Sequence, residues 1–424
     1  MIVSLLHKAM TKVITNIKQL VGVRRENELL RGKDLAELAS IENAYLVVED
    51  GMIAEYGPIE NIKSKISQYP ISHTIDATNQ FVLPAWCDSH THLVFAASRE
   101  EEFVDKIKGM SYADIAAKGG GILNSARKLN AISESELFNL SWKRLDEIGR
   151  LGTGAVEIKS GYGLTVEGEL KMLHVIKKLK EKSALSIKST FLGAHTYPLE
   201  YKENHKGYID LIVNKMLPVI AAEKLADYID VFCENGFFSP QETEIICRAG
   251  MSYGLKPKLH VNQLNSVGGI NTGIELNSLS LDHLEVMTDD DIRSVSSWDG
   301  VCTLLPSAAF FLGVPFQHAR ELIDAGCAVA LASDFNPGSS PSGNMNLVLA
   351  MACIGMKMLP EESINAATNN GAWAMELQNE VGTITVGKKA SLIFTQPIRS
   401  LAYLPYSFGT NLIDKVMING DFLS

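Results

Sequence analysis

Between residues 81 and 331 one arrangement recurs along the sequence: a short apolar run, a polar residue at its end, then a stretch with helical period. The runs are Phe81 to Cys87, Ala155 to Lys159, Ser189 to Leu192, Tyr228 to Phe232, Lys256 to Leu259, Ser278 to Leu281, Val301 to Leu304 and Ala328 to Leu331. Continuous apolar runs of this length suit strands buried on both faces, and their alternation with helical segments makes parallel βα units. Eight such units predict an α/β fold of the (β/α)8 TIM barrel type. In that barrel every strand C-terminus opens on one face, so residues far apart in sequence converge there. Those behind the runs are His90 and His92, Ser160-Gly161-Tyr162, His195, Glu234, His260, His283, Pro306 and Asp334.

The two chain ends follow a different rhythm. From Lys12 to Ile75 short alternating runs such as Ala44 to Glu49 and Met52 to Glu55 are broken by Asp50-Gly51 and Gly57-Pro58. The same pattern returns in Gly382 to Val386, Ser391 to Thr395 and Lys415 to Ile418, around Gly387 and Asn419-Gly420. Residues 1–80 and 381–424 therefore predict one small β-sandwich domain built from both ends, with 81–380 as the barrel. At 424 residues the chain has the length for a barrel of roughly 250 residues and a smaller partner. The segment Leu93 to Arg150 exceeds a normal βα unit and reads as an insertion over the mouth. Its Gly119-Gly120-Gly121 suits a lid or tight turn; no Lys-Ser/Thr follows, so a phosphate loop is disfavoured.

Composition narrows the partners. A net charge of −10 disfavours nucleic acid, whose phosphates are held by clustered Lys and Arg, and favours a small-molecule substrate. An anionic substrate would need a locally placed cation to outweigh that field. The six cysteines are scattered with no C-x-x-C pair, which implies a reducing compartment. The apolar run Ile2 to Leu6 is too short for a signal core or membrane span, so the reading is cytoplasmic with no membrane partner, and the start is Met1 or Met10.

His90-Thr91-His92 puts two imidazoles on one side of an extended segment. A lone H-x-H more often marks ordinary surface or core histidines, yet here His260 closes the fifth run and Asp334 follows the eighth. His90, His92, His260 and Asp334 together suit Zn²⁺ or another first-row ion and leave room for water or substrate. Asp334 alone would read as a helix N-cap.

Residues 82 to 92, His260 and Leu331-Ala332-Ser333-Asp334 resemble the metal-site signature of the amidohydrolase superfamily, a resemblance extending from about Thr11 to the chain's end. Four longer strings are similar to the imidazolonepropionase family within it: Ser98-Arg99-Glu100-Glu101-Glu102-Phe103, Lys159-Ser160-Gly161-Tyr162-Gly163-Leu164, Phe191-Leu192-Gly193-Ala194-His195, and Asp334-Phe335-Asn336-Pro337-Gly338-Ser339. The resemblance implies hydrolysis of the cyclic amide C–N bond of 4-imidazolone-5-propanoate to N-formimidoyl-L-glutamate in histidine degradation. It also implies one divalent or trivalent metal ion, zinc or iron, and a homodimer. Another cyclic amidohydrolase, dihydroorotase-like or hydantoinase-like, is the alternative, with a non-catalytic scaffold of the same fold behind it.

On this reading Asp334 shuttles a proton between water and the leaving ring nitrogen. His283 orients the water or stabilises the oxyanion, or serves as a further ligand, as this position does in related amidohydrolases. Arg99 has the planar fork to anchor a propionate tail, though beside Glu100, Glu101 and Glu102 it would also suit a solvated surface. Tyr162 and His195 offer flat bodies with polar tips for packing the ring, or are satisfied core residues. Asn336, Gly338 and Ser339 match family positions that contact substrate or product, although a Pro-Gly turn would explain their composition. Gln263 stands where superfamily deaminases carry a proton-shuttling Glu; an amide cannot shuttle, so Gln263 enters the site by hydrogen bonding to substrate. Binuclear relatives bridge metals with a modified lysine after the fourth strand, where this chain has Glu234. A single ion is the simpler reading, and roles for Glu234 and Lys159 stay open.

Overall fold

The computed structural model describes residues 11–63, 66, 69, 73–110 and 120–423. The stretch Met1 to Met10 and Gly119 lie outside the described residues. Two sheets of eight strands organise the described residues.

The end sheet joins both termini. Its strands are β1 (Thr11–Val21), β2 (Ser40–Glu49), β3 (Met52–Pro58), β4 (Thr74–Asp76) and β5 (Phe81–Pro84), then β14 (Leu392–Thr395), β15 (Ile413–Ile418) and β16 (Asp421–Phe422). They run in the order β16-β15-β14-β5-β1-β2-β3, with β4 also paired to β1. Ile14, Leu20, Leu46, Val48, Val82, Leu392, Phe394 and Met417 close one apolar core, contributed by both ends. Two of the turn signals act as expected: Asp50 and Gly51 have φ of 49° and 81°, and Asn419 and Gly420 have 50° and 83°, whereas Gly57 and Pro58 remain in β3, paired with Tyr45 and Ala44. Two successive left-handed residues match the twist of a two-residue hairpin, which is why Asp-Gly and Asn-Gly occupy them. The two tips abut, since a Cβ on Gly51 would lie 2.5 Å from the Asn419 carbonyl oxygen. Gly382 to Val386 forms no strand; Ile384 makes an isolated parallel bridge with Val23, just past β1.

The second sheet is the barrel: β6 (Trp86–Thr91), β7 (Thr153–Lys159), β8 (Ser186–Ala194), β9 (Tyr228–Cys233), β10 (Lys256–Val261), β11 (Ser280–His283), β12 (Val301–Leu304) and β13 (Ala328–Leu331). Neighbours pair in sequence order and in parallel. Closure comes at the C-terminal end, where the Asp334 amide donates to the His90 carbonyl at 3.0 Å and the His92 amide to the Phe335 carbonyl at 2.9 Å. Closing there removes an exposed edge and locks His90, His92 and Asp334 into one backbone register.

The expected first barrel strand, Phe81 to Cys87, is in fact two strands in different sheets. Phe81–Pro84 pairs with β14 and β1, and Trp86 begins the barrel. The crossing is visible in the backbone, because the Ala85 amide donates to Ser391 of the end sheet and the Trp86 amide to Gly152 before β7. An unbroken apolar run hid the switch, since both halves are fully buried. The insertion after β6 carries helices Glu100–Ile107 and Gly121–Ala131 before the barrel helix Glu134–Arg150. Among the described residues no helix is long and apolar enough to cross a membrane.

Candidate metal centre and substrate cavity

The four groups expected to share a centre do converge. His90 Nε2 lies 3.1 Å from His260 Nε2, which lies 3.3 Å from His92 Nε2. Asp334 Oδ1 stands 3.6 Å from Nε2 of both His90 and His92. Donor atoms of His90, His92 and Asp334 fall within 4.8 Å of one another, as do those of His90, His260 and His283. Burial is the largest cause holding the His90, His92 and His260 pKa values well below the ordinary range, so these rings are neutral. Burial likewise raises the Asp334 carboxyl to about 6.

The opposite edges of the rings decide whether a metal fits. His90 Nδ1 meets Asp282 Oδ2 at 2.6 Å and His260 Nδ1 meets Asp230 Oδ2 at 2.8 Å. A carboxylate only accepts, so each Nδ1 carries the proton and each Nε2 presents a lone pair to its neighbour. Lone pairs facing at 3.1 Å repel unless a cation lies between them. The donor set therefore fits a divalent ion, and a carboxylate behind each ligating imidazole is the arrangement that fixes ring orientation in metal sites.

Behind these carboxylates lies a buried charge network, which explains Lys159. Its Nζ contacts Glu157 at 2.6 Å, Asp230 at 2.9 Å and Asp282 at 3.7 Å. Lys258 Nζ reaches the other oxygen of Glu157 at 2.8 Å and donates to the Ala374 carbonyl at 2.7 Å. Burial works against the Lys159 charge, yet Asp230, Glu157 and Asp282 outweigh it and raise the amine's pKa. Lys159 is thus a charged counter-ion beneath the cluster. Asp88, whose carboxyl burial raises to about 7, accepts the Ser333 amide at 2.9 Å and hydroxyl at 2.5 Å, tying β6 to the residue before Asp334.

The sequence marks Lys159 with its role left open but does not single out Glu157, Lys258, Asp230 and Asp282, although a signal exists. Glu157 and Lys159, Lys258 and His260, Ser280 and Asp282 are pairs two apart within buried strands. With period two they point to one face, and a charged pair inside a fully buried strand has to be matched from neighbouring strands.

His283 reaches the cluster by unusual backbone. It and Leu284 have φ of 86° and 62°, conformations that cost on the order of 1–3 kcal/mol each in a non-glycine residue. The imidazole Nδ1 lies 3.2 Å from Glu285, which also accepts from Gln317 Nε2 at 2.9 Å. Burial alone would lower the His283 pKa, but Glu285 together with Asp334 and Asp282 outweighs it and raises it. Glu234 takes no place at the centre: it accepts the Leu264 and Asn265 amides at 2.8 and 3.1 Å, bracing the loop that carries Gln263.

The cluster forms one wall of a cavity of about 290 Å³, and every remaining sequence-predicted site residue lines it: Arg99, Tyr162, His195, Gln263, Asn336, Gly338 and Ser339. His195 stacks on His92 with centroids 5.3 Å apart and its Nδ1 bonds to the Gly161 carbonyl at 3.0 Å; burial lowers its pKa to about 4. Arg99 is half-buried, with Nε on Ser125 Oγ at 2.9 Å and its guanidinium 5.8 Å from the Tyr162 ring centre. Asn336 shapes the loop after Asp334: its Oδ1 accepts the Gly338 and Ser339 amides, and its Nδ2 donates to Ser339 Oγ. Asp334 caps no helix, since the next begins at Met345 under Asn344. A larger cleft of about 1400 Å³ opens beside the cavity, but none of the four converging groups reaches it.

A barrel mouth holding three imidazoles and a carboxylate, joined to a sheet from both chain ends, places the chain among the amidohydrolases. The Amidohydrolase family model matches residues 252–423, which include His260, His283 and Asp334. Guanine deaminase of E. coli superposes with a TM-score of 0.73 at 13% identity, covering 98% of this chain and 99% of that one. A zinc-bound adenosine deaminase of Xanthomonas campestris gives 0.70 at 15%, covering 97% and 92%. At these identities the likeness concerns the fold. Sequence relatives go further: imidazolonepropionase of Flavobacterium johnsoniae is 57% identical over 98% of this chain and 100% of its own, and that of Clostridium tetani is 43% identical over 92% and 93%. The chain belongs to the imidazolonepropionase family.

Proposed function

We propose that this chain hydrolyses the ring C–N bond of 4-imidazolone-5-propanoate to give N-formimidoyl-L-glutamate, with a single zinc or iron ion held by His90, His92, His260 and Asp334. The observation that carries the reading is a cavity with a neutral-imidazole cluster on one wall and the guanidinium of Arg99 on another. Such an ion supplies Lewis-acid chemistry and makes water a nucleophile near neutral pH.

The protein's own groups then divide the work. Asp334 accepts the proton of the attacking water and returns it to the ring nitrogen as the C–N bond breaks, leaving a carboxylate and a free amidine. Ser339 Oγ, 3.2 Å from Asp334 Oδ2, steadies that carboxyl. His283, held by Glu285, orients the water or bonds to the developing oxyanion. Tyr162 and His195 flank the ring, Gln263 hydrogen-bonds to it, and Asn336, Gly338 and Ser339 form the loop that receives its substituents. Arg99 takes the propionate through parallel N–H bonds. All six cysteines are free thiols, which supports a reducing cytoplasmic setting.

Incubating the metal-loaded enzyme separately with 4-imidazolone-5-propanoate, dihydroorotate and a hydantoin tests this directly. Loss of the imidazolone ring absorbance is expected only with the first. Turnover of either other ring without the imidazolone would replace the substrate assignment.

A further inference from the structure

We propose that Lys106 is a second cation for the substrate's carboxylate tail, working beside Arg99 and setting the preference for an anionic tail. The inference rests on the tail-bearing substrate proposed above. Arg99 caps the helix Glu100–Ile107 and Lys106 lies seven residues on, two helical turns, so both side chains share one face. That face lines the cavity through Arg99, Glu102 and Lys106.

Both cations close on one residue. A Cβ on Gly338 would lie 2.5 Å from Arg99 Nη1, and Lys106 Nζ donates to the Gly338 carbonyl at 3.3 Å. The Lys106 stem runs toward Phe311, with Nζ 5.7 Å from the ring centre, and Phe311 stacks on Phe103 of the same helix. An ammonium has three donors, and one long bond to a carbonyl does not exhaust them. The nearby carboxylate, Glu102, spends Oε1 on the Gly121 amide and Asn124 Nδ2, and its charge raises the Lys106 pKa by less than burial and Arg99 lower it. Burial, then Arg99, lowers the Lys106 pKa, as two cations facing the same half-dry space require. A carboxylate entering that space would take the Arg99 fork with two lone pairs and Lys106 with a third, relieving their repulsion. In a chain of net charge −10 this pair also supplies the local positive field that an anion needs.

Calorimetric titration of the metal-loaded enzyme with imidazole propionate and with its uncharged primary amide tests the assignment. Lys106→Met is expected to weaken the acid about tenfold and the amide less than twofold, and Lys106→Arg to restore most of the acid's affinity. Equal losses on both ligands would make Lys106 a mere brace for the Gly338 loop and overturn the proposal; so would an unchanged acid, or a parent enzyme without preference for the acid. If Lys106→Met does not fold, Lys106→Gln serves, since it also removes the charge while keeping a donor. Hydrolysis of 4-imidazolone-5-propanoate is scored separately, so its absence would sink the proposed reaction while the affinity comparison still decides the role of Lys106.

Discussion

His90 Nε2 and His260 Nε2 face each other at 3.1 Å while Asp282 and Asp230 hold the protons on the far side of each ring. That geometry is repulsive without a cation, so metal removal is expected to cost stability as well as activity. An ion present at a thousandfold above its dissociation constant contributes about 4 kcal/mol to the folded state. Scanning calorimetry before and after chelation should show the unfolding midpoint fall by several degrees and recover on adding zinc or ferrous iron. An identical midpoint in both samples would mean that the cluster binds no ion.

The second expectation concerns Gly338, whose missing side chain makes room for Arg99. In Gly338→Ala the new methyl would sit 2.5 Å from Nη1, but the clashing atom is the end of a flexible side chain, so the fold accommodates it while the guanidinium moves. KM should rise about tenfold with kcat within twofold, the pattern of lost binding that is uniform between ground and transition states. A fall in kcat at constant KM would place Arg99 elsewhere than on the tail.

Much of this site was legible because its residues lie where the barrel puts its chemistry. His90, His92, His260 and Asp334 follow from strand ends, and the strings around Arg99, Tyr162, His195 and Asn336 from family likeness. Three parts were hidden for physical reasons. Phe81–Pro84 and Trp86–Thr91 look like one strand because burial on both faces erases the alternation that would separate them. Asp230 and Asp282 read as isolated charges, since their partners come from β6, β7 and β10, and pairing across strands is a property of the closed barrel. Lys106 stands past the end of a recognisable string, and only the helix turn brings it back beside Arg99.

Lys159 offers a test of the charge network. Replacing it with Met leaves Glu157, Asp230 and Asp282 with Lys258 as their one remaining ammonium in the network. Stranding buried charges by removing one partner typically costs about 3–5 kcal/mol. Urea unfolding of Lys159→Met at saturating metal should show a loss of that size, together with weaker metal retention in competition with a chelator. Parent-like stability would mean that the three carboxylates do not depend on this amine.

Glu169 controls the substrate loop from below. Fully buried, it accepts the amides of Gly161 at 3.1 Å, Gly163 at 2.7 Å and Leu164 at 2.9 Å, which fixes the turn presenting Tyr162 to the cavity. In Glu169→Gln one oxygen becomes an NH₂ group, so at least one of these amides faces a donor and loses its acceptor. A buried unsatisfied donor costs on the order of 1–3 kcal/mol, which should appear as a lower unfolding midpoint. Because Gly161 also receives the His195 ring on its carbonyl, the disturbance spreads to the partner that stacks on His92. The rise in KM should therefore exceed any change in metal content, measured on the same preparation. Parallel losses of metal and substrate affinity would instead show that the loop supports the ion cluster itself.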